Sequence, residues 1–174
     1  MERSNSTLGR ASAAAVIGLV SSALIAAPAQ ATPASGFSTE MLAKGVYPPI
    51  NINAAGDRNE DKDDKWDVKL MTKDVSDVYN VRNTIVPGGQ SGWHTHPGPS
   101  LITVTAGQIT VYEGDGLCQP KVYGVSDGAL DLGSGHLHNI KNEGSVNAVT
   151  VVTQIVPHDA PRRLDKDAPN NCGF

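Results

Sequence analysis

Five histidines occur in the 174 residues, and four of them stand in two pairs one residue apart, His94-Thr-His96 and His136-Leu-His138. Imidazole is the commonest protein ligand for a transition metal and changes charge near neutral pH. On an extended strand the side chains at i and i+2 share a face, so His94 and His96 can present two ring nitrogens to one point in space. A divalent cation is the simplest object that calls for that arrangement. A core or surface role accounts for any single histidine but leaves the repeated alternation without a reason.

The elements that must carry these residues are strands. Pro87-Gly88-Gly89 and Pro97-Gly98-Pro99 are turn-forming runs that bracket the first pair. Segments 68–71, 78–86, 101–105, 109–112, 122–125, 129–132, 138–141 and 149–156 are short and rich in Val, Ile, Thr and Tyr. Gly, Asp, Asn and Ser clusters separate them. Sustained helical amphipathicity is absent beyond the first 31 residues, and many short, evenly spaced strands predict a sandwich or barrel. If Ser100 points inward, Ile102 and Val104 face in with it and supply an apolar wall around the histidines.

The residues around both pairs resemble the two conserved motifs of the cupin family. The first motif runs glycine, five residues, His-x-His, three or four residues, glutamate, six residues, glycine. Gly88, His94, His96 and Gly107 fall on that spacing, with Ser100 at the glutamate position. In the second, Gly133 stands at the usual proline, and Gly135, His138 and Asn142 stand at the glycine, histidine and asparagine. The leading glycine is displaced, with Asp127 in its place and Gly128 beside it. The match extends over about 78–157.

That resemblance implies a double-stranded β-helix or jelly-roll barrel with His94, His96 and His138 as metal ligands, and a turn loosened by the missing proline. Without the family's glutamate the ligand set is all imidazole, which suits iron, nickel, copper or zinc better than manganese or magnesium. Ser100 then orients a water instead of binding the ion. Such a centre, with coordination positions left for a small molecule, implies a metal-dependent enzyme of oxygenase type. The alternative is a non-catalytic protein that captures a metal or small ligand. Candidates for proton transfer are weak: Glu113, which also reads as a solvated turn residue, and His136, which is a fourth ligand, a proton shuttle or, preferably, a rim residue. His158 reads as a surface residue. The family's habit of pairing through edge strands implies a homodimer.

The remaining chain bounds the setting. Residues 1–31 read as a cleaved export signal, with Arg3 and Arg10 ahead of a small-residue apolar run and Ala29-Gln30-Ala31 as the cleavage pattern. This places the mature protein in the periplasm or outside the cell, with no membrane span left after cleavage. Residues 32–67 read as an extension containing an edge strand and a solvated charged loop at 53–67. That loop lacks the EF-hand glycine and glutamate, carrying Lys62 and Val68 instead. Residues 68–174 form the barrel and its tail. A formal charge of −4 with no basic cluster argues against nucleic acid as a partner. The two cysteines, Cys118 and Cys172, are expected to pair as a disulfide in an oxidising compartment.

Overall fold

The computed structural model describes residue 1, residues 31–57 and residues 65–172. The expected export signal lies almost wholly outside the described residues, as does the centre of the charged loop. All regular structure described is β. Strand β1 (Ser35–Tyr47) runs antiparallel to β4 (Ser76–Gln90), which pairs on its other side with β11 (Ala148–Pro157). Beyond β11 lie β6 (Ser100–Ala106) and β9 (Gly128–Asp131). A second row runs β12 (Leu164–Asp165), β5 (His94–Thr95), β10 (His138–Lys141), β7 (Ile109–Glu113) and β8 (Lys121–Tyr123). A separate hairpin joins β2 (Asn51–Asp57) and β3 (Lys65–Met71).

The strands alternate as the pleat requires. On β6, Ser100, Ile102 and Val104 are buried while Leu101, Thr103 and Thr105 are exposed. On β11 the inward set is Ala148, Thr150, Val152, Gln154 and Val156. Val81 and Ile85 of β4, Ile102 and Val104 of β6, Ile109 and Val111 of β7, and Ile140 of β10 meet in one core, so the two rows of strands face each other. The result is a nearly closed antiparallel barrel of jelly-roll type with an apolar interior.

The rows are joined by β4, and here the structure departs from the sequence reading. Pro87-Gly88-Gly89, expected as a turn ending the strand at residue 86, instead lies within β4. Pairing with β11 stops at Ile85, and Gln90 pairs with Lys141 of β10. Between them the Gly88 amide donates to the Asn142 carbonyl and the Asn142 amide to the Gly89 carbonyl, each at 2.9 Å. Proline cannot donate to a ladder, and Gly88 has φ 74°. The run is therefore the corner where one strand passes between sheets.

The edge strand expected in the extension is the 13-residue β1, longer than its short apolar pieces suggest, which pairs with β4 from Tyr47 opposite Ser76 to Ser35 opposite Gln90. Its outward face is unselective because it is an edge strand, so its sequence carries little alternation. The ends of the expected charged loop are the arms of the β2–β3 hairpin.

Cys118 and Cys172 form a disulfide, tying the loop after β7 to the tail after β12 across 54 residues of sequence. Replacing both with serine is expected to lower the unfolding free energy by roughly 2–5 kcal/mol. A denaturant titration of the double variant against the oxidised protein measures it.

Candidate metal centre

His94 and His138 face each other because their strands do: they are direct register partners on β5 and β10. His96 follows at the end of β5, on the same side of the pleat. Ring centroids are 4.8 Å apart for His94 and His96, 4.3 Å for His94 and His138, and 5.3 Å for His96 and His138. One ring nitrogen from each lies within 4.8 Å of the others. All three residues proposed as ligands are thus brought to one place.

The opposite ring nitrogens are committed. Nδ1 of His94 lies 2.8 Å from the Gly92 carbonyl, Nδ1 of His96 bonds the Arg162 carbonyl, and Nδ1 of His138 lies 3.1 Å from the His136 carbonyl. A carbonyl only accepts, so each Nδ1 must carry the proton and donate it, which leaves the lone pair on Nε2. Nε2 of His138 is buried with no hydrogen-bond partner. An orphaned acceptor at the meeting point of three rings is what a bound cation would satisfy.

Burial keeps these rings neutral. It is the main cause that pushes His94 down to about 2, with His138 and Arg163 adding to it. Burial likewise takes His138 down to about 4 against the opposing pull of Asp131, and it lowers His96 despite the bond to the Arg162 carbonyl. Neutral imidazoles with convergent lone pairs form a donor set for a borderline transition metal, so the residues present fit one.

Ser100 does not face the cation position alone. Its hydroxyl donates to Oδ2 of Asp131 at 3.3 Å and accepts from Nε2 of Gln154 at 3.2 Å. Ser100 and Asp131 are register partners on β6 and β9. The position across the strand from the family's glutamate therefore carries a buried carboxylate, 4% exposed. Its Oδ1 lies 3.7 Å from Nδ1 of His138 and accepts the Gly133 amide at 3.0 Å. The sequence does not mark Asp131, because register between strands is not written there. Asp131→Asn keeps the shape and removes the charge behind His138. It is expected to weaken metal affinity roughly tenfold, the scale of an outer-shell partner, as read by competition with a chelating dye.

The turn before His138 has its own reason for glycine at the place of the missing proline. Gly133 has φ 71°, a conformation proline cannot adopt, and a Cβ there would lie 2.3 Å from the Gly98 carbonyl carbon. The Gly133 carbonyl accepts the His136 amide at 3.0 Å. Glycine is what this close approach of two turns requires.

The other candidates fall outside the cavity of about 70 Å³ that the three histidines line. His136 sits behind His138, its ring 6.0 Å away, with Nδ1 3.5 Å from Asp131 and Nε2 3.5 Å from Asp115. Glu113 forms an ion pair with Lys121 at 2.9 Å. His158 lies 2.8 Å from the buried carboxylate of Asp77, which the Lys44 ammonium also reaches at 2.9 Å. Burial alone would raise Asp77, but these hydrogen bonds prevail and hold it below the usual carboxylate range. The cavity wall includes Ile102 but not Val104, which packs in the core.

No protein-family model matches the chain, and no curated protein does. Among solved structures, it is similar to an uncharacterised protein with a double-stranded β-helix domain from Klebsiella pneumoniae, at 20% identity and TM-score 0.44, over 69% of this chain and 85% of that one. It is also similar to a cupin superfamily protein from Desulfitobacterium hafniense, at 14% identity and TM-score 0.40, over 46% and 68%. A third is oxalate oxidase in complex with glycolate, at 24% identity and TM-score 0.40, over 44% and 41%.

Proposed function

We propose that this chain, an all-β barrel of the cupin type, is an exported metal-binding protein whose three-histidine centre serves as a metal-dependent enzyme of oxygenase type on a small molecule. The observation that carries the reading is the shared tautomer. His94, His96 and His138 each give Nδ1–H to a backbone carbonyl and turn a lone pair toward the others. The donor set supports iron, nickel, copper or zinc. A metal held by three imidazoles would supply Lewis acidity or, with iron or copper, oxygen binding.

The chain's own residues divide the remaining work. Phe37, Val81, Ile102 and Val152 supply the apolar part of the cavity wall. Asp131 holds negative charge behind His138 and fixes the turn that aims it. The Gly92, His136 and Arg162 carbonyls fix the tautomers. Export is supported by the disulfide, which persists in an oxidising compartment.

One observation favours the second reading, a non-catalytic binding protein. No Asp or Glu is among the described residues lining the cavity, and the Asp131 carboxylate lies behind Ser100 and His138 instead of in the wall. Elemental analysis of protein purified without chelator tests the centre, with about one transition metal per chain expected. Oxygen uptake by that protein with small phenols, thiols and diketones then separates the readings. Uptake supports the enzyme, and silence with an iron- or copper-loaded protein leaves the binding function.

A further inference from the structure

We infer that the centre takes a small carboxylate and that Arg162 is the group that selects for it. The inference rests on the metal-centre reading and adds the ligand's chemical class. Its ground is the charge of the cavity. Two arginines, Arg162 and Arg163, line it beside three neutral imidazoles, and the rest of the described lining is apolar or uncharged. Arg163 is neutralised by Asp165, which leaves Arg162 as the charge that a ligand could meet, and a bound metal would add to it.

The two arginines are not equivalent. Arg163 is used by the fold: its Nε donates to Asp165 and its Nη2 to the Ser91 carbonyl, each at 2.6 Å. Arg162 pairs with no carboxylate among the described residues. Its Nη1 reaches Oε1 of Gln154 at a long 3.5 Å, and its guanidinium lies 5.1 Å over the Tyr79 ring. A cation over a ring face is attracted to it without using its N–H donors. A half-buried guanidinium with most of its five N–H groups unassigned can take a carboxylate in a bidentate pair.

Size and shape narrow the class. The cavity of about 70 Å³ admits a molecule of a few heavy atoms. Its apolar wall, from Ile102, Val81 and Val152, suits a short alkyl end. The ligand is thus a short-chain carboxylate, held by its charged end at Arg162, with its body lying toward the imidazoles. The Arg162 backbone serves the centre separately, since its carbonyl accepts from His96 and from Gln154. A side-chain substitution leaves that carbonyl in place.

The test is calorimetric titration of propionate and of its neutral isostere propionamide into the purified full-length mature protein, both as isolated and after metal removal. Propionate is expected to bind both forms and to outbind the amide by tenfold or more, the scale of one charge-assisted pair. Arg162→Gln is expected to lower propionate affinity by tenfold or more while bound metal stays at the wild-type level, and Arg162→Lys to fall between. Equal binding of acid and amide, unchanged propionate affinity in Arg162→Gln, or no propionate binding at millimolar concentration in either form overturns the assignment. Failure of the metal reading shows separately, as wild-type protein that holds no metal while the propionate results stand.

Discussion

Replacing His138 with alanine is expected to take bound transition metal from about one per chain to less than a tenth of that, and His94→Ala should do the same. Each substitution removes one of three donors whose lone pairs meet in a buried space, and no described acidic side chain lines the cavity to replace it. The loss should exceed the roughly 10–100-fold expected when an outer-shell partner is removed. His136→Ala and His158→Ala are the controls. His136 lies behind the cavity, and His158 is engaged with Asp77. Both should keep wild-type metal content. Elemental analysis of the four variants decides the matter, and full metal content in both His94→Ala and His138→Ala would remove these residues from the centre.

Much of that centre was readable from the linear chain because the pleat is local. His-x-His on a strand puts two imidazoles on one side whatever the strand's partner, and the alternation of Ser100, Ile102 and Val104 follows by the same rule. What joins His138 to His94 is register, a property of pairs of strands. The resemblance to the cupin motifs carried that expectation where local physics could not. The same limit hid Asp131. Its side chain matters because it lies directly opposite Ser100 on the neighbouring strand, and no spacing within either segment reveals this.

Backbone partners were equally hidden, for a different reason. Every residue has a carbonyl, so nothing in the sequence marks Gly92, His136 or Arg162 as the ones that fix the imidazole tautomers. Arg162 gains its place from the short β12, which pairs Leu164 with Thr95 and Asp165 with His94 and lays the tail across the rim of the site. A two-residue strand has no pattern to detect. β1 illustrates the opposite case: thirteen residues in one strand, mostly exposed, held by pairing to β4 more than by their own propensity. Pro87-Gly88-Gly89 reads as a turn by composition and does bend the chain, but the surrounding barrel uses the bend to carry one strand across two sheets.

The buried neutral imidazoles have a cost in acid that sets the largest stability change expected of the metal-free protein. In the unfolded chain each histidine takes up a proton near pH 6.5. In the folded barrel His94 is held down to about 2 and His138 to about 4, both chiefly by burial. Between those values and 6.5 the unfolded state binds protons that the folded state refuses, so stability falls as pH falls. The slope is about 1.4 kcal/mol per group per pH unit. His94 and His138, with His96 acting in the same direction, together remove several kcal/mol on the way from pH 6.5 to 4, a large part of the whole stability of many domains. Asp77 does not contribute in this window. Its carboxyl is held below the ordinary range, so its stabilisation is present above about pH 4 and lost only below it. Metal-free protein, titrated with denaturant at stepped pH, should therefore be firmly folded at pH 7.5 and largely unfolded near pH 4. His94→Leu, which fills the same surroundings without a titrating group, should make the slope clearly shallower. A flat stability profile from pH 7 to 4.5 would mean that these rings take up protons where they sit, and the dry, convergent arrangement of lone pairs could not then be their resting state.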